Sequence, residues 1–209
     1  MNTVIKITDH LDYYIEKGWT IFPCNPNGKF TTVDGGYKNG SSGFLKIYKW
    51  WEDSPNSNIG LVTGEANNLV VVDVDVKDGA PGLKSLSELE AECGKFDTLT
   101  VNTPSGGLHY YFSYPQGRSI NCSANKIKPG VDIRANGGHV VAPGSVIDGN
   151  YYEFVDKNKQ VAELPPKLLE LLTSTKTVRD PHSPSTLSTE DVIDGVAQGG
   201  RNDSIFKYA

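Results

Sequence analysis

Apolar positions recur at two periods along this chain. Over residues 9–17, Leu11, Tyr14 and Ile15 share one helical face, and Gly18 supplies a stop. Phe44, Ile47, Tyr48 and Trp51 repeat at i, i+3, i+4 and i+7, the mark of an amphipathic helix. Residues 82–93, closed by Gly94, predict a third helix. Pro165 and Pro166 open a fourth through Leu168, Leu169, Leu171 and Leu172. Elsewhere the period is two, or the run is continuous and β-branched. Residues 19–24, 58–63, 69–76, 98–103, 107–114, 131–135 and 139–143 read as strands. The short link 64–68 predicts that the strands it joins are neighbours. Asp148-Gly149-Asn150 is a turn into a further strand over residues 151–155, and residues 26–43 read as a loop carrying Lys29 and Lys38.

The sum is an α+β fold: a mixed or antiparallel sheet with helices on one face, preceded by an N-terminal α/β portion. Residues 1–173 read as its catalytic domain. Ser, Thr and Pro dominate residues 174–187, which read as a linker. Residues 188–209 read as the start of a helical region too short to bury a core, so the chain is expected to be a piece of a longer polypeptide.

Composition narrows the class. The 209 residues are 37% hydrophobic and 22% charged, which argues against wholesale disorder. No apolar run approaches the roughly 18 residues of a membrane helix, and residues 1–11 carry no secretory leader. Three scattered cysteines give neither a disulfide framework nor a zinc site of the four-cysteine or paired Cys-x-x-Cys type, and they fit a reducing cytoplasm. A net charge of −5 excludes coating of nucleic acid by bulk positive charge, so a local basic patch or a bound cation is needed.

The informative stretch is Leu69-Val70-Val71-Val72-Asp73-Val74-Asp75-Val76. In a strand Asp73 and Asp75 point one way and the valines the other. Like charges at adjacent same-face positions repel, and a divalent cation relieves them, because carboxylate oxygens suit Mg²⁺ and Mn²⁺. A strand end emerging into water explains the two acids equally well. A third acid, Asp132, sits in Val131-Asp132-Ile133-Arg134-Ala135, where Asp132 and Arg134 alternate with apolar residues. Three acids on two strands could hold a pair of cations roughly 4 Å apart for in-line phosphoryl transfer. Thr103-Pro104-Ser105-Gly106-Gly107-Leu108-His109 reads as strand, glycine turn, strand. Its backbone N–H groups and the Ser105 hydroxyl suit an anion, and His109 can donate to a phosphate oxygen; taken alone, the stretch fits a plain β-hairpin with a half-buried His between aromatics better. Leu108, Tyr110 and Phe112 take the core side. Tyr111 shares the face of His109 and either reaches a sugar or packs inside. One sheet face would then be core and the other a polar floor, the layout of a nucleotidyl-transfer palm.

Taken in order, Asp73-x-Asp75, Ser105-Gly106-Gly107-x-His109, Val131-Asp132-Ile133-Arg134 and Gly137-Gly138-His139-Val140-Val141-Ala142-Pro143-Gly144-Ser145 resemble the primase–polymerase domain of phage and plasmid replication proteins. This is a branch of the archaeo-eukaryotic primase superfamily. Gly18-Trp19 with Pro23, Gly28-Lys29, Trp50-Trp51 and residues 58–64 agree, so the resemblance spans about residues 9–172. It implies an RRM-like catalytic palm and a template-directed nucleotidyl transferase that makes and extends primers in a bacterial or archaeal cytoplasm. Its implied metal ligands are Asp73, Asp75 and Asp132, binding two Mg²⁺ or Mn²⁺ ions. Ser105, Gly106, Gly107 and His109 would hold the triphosphate. Arg134 either contacts phosphate or pairs with an acid, and Lys29 is either a phosphate contact or a solvated loop lysine. The implied partners are a single-stranded DNA template, nucleoside triphosphates, and a C-terminal helicase or helical primase region. No helicase phosphate-binding loop is present in this sequence, no zinc site is expected, and no membrane partner is expected. Competing readings are an Asp-x-Asp glycosyltransferase, a non-catalytic origin-binding module and a two-metal nuclease.

Overall fold

A computed structural model describes residues 7–174. The linker from residue 175 onward and the region 188–209 lie outside the described residues. Over the described residues the fold is mixed α+β: four α-helices and several mainly antiparallel sheets, with no closed barrel.

Helix α1 (Ile7–Glu16) buries Leu11 and Tyr14, and the Tyr14 hydroxyl donates to the Pro143 carbonyl at 2.8 Å. Helix α2 (Phe44–Asp53) buries Ile47 and Trp51, two of the four positions its periodicity singled out, while Phe44 at its first position is exposed and Tyr48 half-buried; the Trp51 indole N–H donates to the Ser57 carbonyl at 2.9 Å. Strands β1 (Ile21–Cys24), β2 (Asn58–Val62) and β8 (His139–Val141) form a three-stranded sheet in the order β1-β2-β8.

The larger, seven-stranded sheet holds β3 (Leu69–Val74), β4 (Leu99–Asn102), β5 (Leu108–Ser113), β6 (Ser123–Lys128), β7 (Val131–Arg134), β11 (Glu153–Phe154) and β12 (Ala162–Glu163). Its order is β11-β4-β5-β3-β7-β6, with β12 beside β5 as the parallel pair. A small hairpin of β9 (Val146–Ile147) and β10 (Asn150–Tyr151) stands apart. Helices α3 (Gly82–Cys93) and α4 (Pro166–Thr173) cover one face of the large sheet. There Leu86, Leu89 and Leu168 meet Val70, Val72, Val74, Tyr110, Phe112 and Ile133. Alternation along β3 and β5 builds that face, as the sequence predicts.

Four expectations change. First, β2 and β3 are not sheet neighbours; they belong to different sheets. Gly64 (φ 87°) and Asn68 (φ 54°) take left-handed backbone around a short 3₁₀ turn, and the chain leaves one layer for the other. Second, the opposite face of the large sheet is a polar floor over part of its area only. Leu69, Val71, Leu99, Val101 and Tyr111 lie there in a second core with Trp19, Ile21, Ile59, Leu61 and Val140. Tyr111 is therefore a core residue. Third, the strand predicted over residues 151–155 is broken at Tyr152, whose N–H bonds the Ser145 carbonyl at 3.0 Å while β10 and β11 serve different sheets. Fourth, β6 was not anticipated. It is a mainly polar edge strand with no buried residue and a shifted register, and it carries no apolar alternation to read.

Gly60 sits opposite Phe22 in the β1–β2 ladder, and a Cβ there would lie 2.3 Å from the buried Phe22 ring. Gly60→Ala is expected to lower stability by about 1–3 kcal/mol, because a ring fixed in the core cannot yield; a urea melt with an unchanged midpoint would refute this. Burial pushes the Cys24 thiol up to about 12, so it stays protonated at pH 8. Iodoacetamide at that pH is expected to spare Cys24 in the folded protein and to modify it in denaturant, as peptide mapping would report.

Candidate active site

The acids are brought together by strand register. Asp73 on β3 pairs directly with His109 on β5 and with Asp132 on β7, so the three form one row across the sheet. Val71 pairs with Arg134 one row away. Two carboxylates about 5 Å apart repel by on the order of 3 kcal/mol at an effective dielectric of about 20. The surrounding side chains offset this. Arg134 Nη2 lies 2.7 Å from Asp132 Oδ2, and its Nε lies 3.6 Å from Asp73 Oδ2. His109 Nε2 lies 3.3 Å from Asp73 Oδ1, and the Asn125 N–H donates to Asp132 Oδ1 at 3.0 Å. Burial pushes the Asp73 carboxyl up. The hydrogen bond and charge of His109, with the charges of Arg134 and Lys29, outweigh it and hold the group below the ordinary carboxylate range.

Asp75 lies one residue beyond the end of β3. Its N–H donates to the Gly130 carbonyl at 2.8 Å, and its carbonyl accepts from Gly82 at 3.1 Å. A Cβ on Gly82 would stand 2.2 Å from the Asp75 carbonyl oxygen; one on Gly107 would stand 2.2 Å from that of Val74. Gly130 combines φ 71° with a similarly close approach to Gly82. Side-chain-free backbone thus lets three segments close on the end of β3 and fix Asp75. The Asp75 side chain is exposed, and Oδ1 accepts the Lys77 N–H at 2.8 Å.

A cavity of about 280 Å³ contains Asp73, Asp75, Asp132, His109, Arg134, Lys29 and Ser105 in its lining. Gly106 and Gly107 are not part of that lining. The Gly106 N–H is engaged by the Thr103 carbonyl at 3.0 Å, so the turn uses a donor that the sequence assigned to an anion. Ser105 stands at the rim, its hydroxyl 3.2 Å from that of Thr103.

His109 is more enclosed than a surface phosphate contact would be. It is buried, and its Nδ1 has no hydrogen-bond partner among the described residues. Tyr152 covers it, with ring centroids 5.7 Å apart, and joins the lining of the cavity. Burial raises the Tyr152 phenol well above its ordinary value, and the Asp73 and Asp75 charges add to the shift. Nothing in the sequence singles out Tyr152 beyond its place in a strand pattern. A second cavity of about 350 Å³ shares Asp73, His109, Arg134, Lys29 and Tyr152 and runs on to Tyr37 and His139. Burial, then the charge of Arg134, lowers the His139 imidazole below its ordinary value.

Among the described residues no group of three or more His, Cys, Asp or Glu side chains stands closely enough to hold a metal ion as they lie. The donor chemistry nonetheless fits a hard cation. Three carboxylates face one cavity, two of them are cross-strand partners, and the Arg134 guanidinium contacts both of those as a stand-in positive charge.

Compared with known families, residues 11–167 match the model described as bifunctional DNA primase/polymerase, N-terminal. That span contains every residue of the acid row and its surroundings, and it supports a DNA primase/polymerase type of function. No curated protein matches the chain. No helix among the described residues is long and apolar enough to cross a membrane.

Arg134→Gln is expected to destabilise the fold at pH 7 by about 1–3 kcal/mol, because it leaves two half-buried carboxylates facing each other. A depressed pKa contributes stability above the unfolded value of about 3.9 and loses it as pH falls through the folded value. The deficit is therefore expected to shrink as the medium is acidified toward and below pH 4, and Asp132→Asn in the same chain is expected to recover part of it. Denaturant titrations across that range would show no pH-dependent gap if the ion pairs carried no weight.

Proposed function

We propose that this chain, which belongs to the bifunctional DNA primase/polymerase N-terminal family, is the catalytic domain of a template-directed nucleotidyl transferase. It would synthesise and extend primers as part of a mobile-element replication protein. The observation that carries this reading is the convergence of Asp73, Asp75 and Asp132 on one cavity with Lys29, Ser105, His109 and Arg134.

In the proposed reaction the 3′-hydroxyl of a primer end, or of an initiating nucleotide, attacks the α-phosphorus of a nucleoside triphosphate. The new P–O bond forms as the bond to pyrophosphate breaks, and the hydroxyl proton passes to solvent. Asp73, Asp75 and Asp132 would hold two Mg²⁺ or Mn²⁺ ions. Bound there, the ions would lower the pKa of the attacking hydroxyl and neutralise the charge on the leaving oxygens. Arg134 balances the Asp73–Asp132 pair and would turn toward a phosphate. Lys29 brings a second positive charge to the same cavity, and Ser105 offers a hydroxyl at its rim. His109 anchors Asp73 through Nε2 and keeps an unused nitrogen beneath Tyr152, which helps exclude water from the acid row. The Ser105-Gly106-Gly107 turn orients the phosphate end through its fold, with Gly106 already bonded to Thr103.

A glycosyltransferase would share the paired acids but is not favoured by the family match, and a metal-independent origin binder would not need an acid row in a cleft. The test is primer extension on a single-stranded template with nucleotides and Mn²⁺ or Mg²⁺. Asp73→Ala with Asp75→Ala is expected to reduce product formation at least about a hundredfold, on the order of losing a principal electrostatic contribution. Product equal to that of the wild type would sink the assignment. His109→Ala, which removes the partner of Asp73 Oδ1, is expected to weaken Mn²⁺ binding at least as much as nucleoside triphosphate binding; calorimetric titrations giving the same Mn²⁺ affinity for both proteins would contradict this.

A further inference from the structure

The acid row explains the cleft but not the segment that leads away from it. Residues 25–48 carry Lys29, Lys38 and Lys46 against a single acid, Asp34, in a chain whose net charge is −5; Lys49, just beyond, is paired with Glu52 and Asp53. The same stretch holds three of the most exposed large apolar side chains: Phe30 at 82%, Leu45 at 82% and Phe44 at 55%. Isolated apolar residues on a surface need no explanation. These alternate with lysines, and the segment begins in the cleft, because Lys29 lines both cavities around Asp73 and Phe30 is its neighbour.

The backbone holds this segment in place. Asn25 N donates to the Phe30 carbonyl at 2.8 Å, and Phe30 N donates to Asn25 Oδ1 at 2.9 Å. Asn58 Nδ2 donates to the Gly28 carbonyl at 2.9 Å, and Asn27 Nδ2 donates to Asp148 Oδ1 at 3.0 Å. The turn that presents Phe30 is therefore braced on β2 and on the β9–β10 hairpin. Thr31 bridges to Cys24 and Ser41 bridges to Ile21, so the segment follows β1 from one end to the other. Three residues of strand separate those bridges by roughly 10 Å, about the span of three stacked nucleotides at roughly 3.4 Å each. At the far end Phe44 packs on Tyr48 at 4.5 Å, and Lys46 lies over the Trp50 ring at 4.9 Å.

We propose that this braced strip, from Phe30 beside the cleft to Phe44, Leu45 and Lys46 on the first turn of α2, is a docking surface for single-stranded DNA. Unpaired bases stack on Phe30 and Phe44, while Lys38 and Lys46 meet the backbone phosphates. Exposed rings on a rigid turn suit bases that present an open face, and base stacking tolerates any sequence. A duplex has no unpaired face to offer Phe30. On β6 and β7, Lys128 pairs with Glu88 at 2.9 Å and Arg134 is held by the acids, which leaves Lys126 as the exposed base there; Lys46 donates to the Asn39 carbonyl at 3.2 Å. Lys38 has no acidic partner within ion-pair distance among the described residues. The proposal rests on reading the cleft as a template-directed site and adds the path by which the template reaches it.

The test is fluorescence anisotropy of a labelled single-stranded oligodeoxynucleotide titrated with the whole 209-residue chain, without nucleotides. Phe30→Ala is expected to weaken binding on the order of tenfold, and Phe30→Trp to restore it. Lys38→Ala with Lys46→Ala is expected to reduce the slope of log K against log salt by about 1.4. Leu83→Ala, which removes an exposed apolar residue of α3, is expected to bind as the wild type does. The proposal falls if Phe30→Ala binds within about twofold of the wild type, if the wild type prefers duplex, or if the wild type does not bind at all. Primer extension by the same proteins separates the two readings. Incorporation by a wild type whose DNA binding ignores Phe30 removes the strip and leaves the cleft assignment. Phe30-dependent binding without any incorporation does the reverse.

Discussion

Asp73 and Asp132 face each other across two paired strands, and much of the surrounding structure answers that one electrostatic problem. A pair of carboxylates in direct register, half withdrawn from water, is unfavourable in any sheet. Here Arg134 contacts both, His109 holds Asp73 from the other side, Asn125 donates to Asp132, and the positive end of Lys29 reaches the same cavity. The compensation is strong enough to hold Asp73 ionised in spite of its burial. An arrangement held this way is poised. Asp73 stays charged beside Asp132, and the guanidinium that contacts both is a side chain that can move when a stronger cation or a phosphate arrives.

The polar row exists because the rest of its sheet face is closed. Tyr111, two residues from His109 and on the same side of β5, is buried against Trp19, with the three-stranded sheet beyond it. Tyr152 marks the boundary: its ring shields His109 and its edge faces the cleft. The small sheet and α1 thus do more than add core. They set where the apolar half of the face ends and make the remaining half a cleft with walls, in which charges are less screened than on an open sheet.

Charge is segregated along the chain as well as within the cleft. The large sheet concentrates acids at one end of its strands, whereas the strip along β1 is basic and carries exposed rings. A polyanion approaching a protein of net charge −5 meets repulsion over most of the surface and attraction along that strip, so the strip gives direction to the encounter. The bracing of residues 25–30 by Asn58 and Asp148 links it to the same hairpin that closes the cleft.

Much of this was legible in the order of residues. Alternation alone put Asp73 opposite the valines of β3, Asp132 and Arg134 on one side of β7, and His109 on the polar side of β5, because side chains in a strand alternate whatever lies beyond it. Helical periodicity marked Leu11, Tyr14, Ile47 and Trp51 for burial for the same local reason. Register, layering and contact over long separations were not local. No motif says that β2 and β3 part into two sheets, that Gly82, Gly107 and Gly130 meet at the end of β3, that Gly106 gives its N–H to Thr103, or that Tyr152 breaks a strand to cover His109. Each depends on which backbone lies alongside which. The sequence by itself determined which side chains could face together. The tertiary structure decided which of them do, because only the pairing of distant strands sets the distances over which charge, hydrogen bonding and burial act.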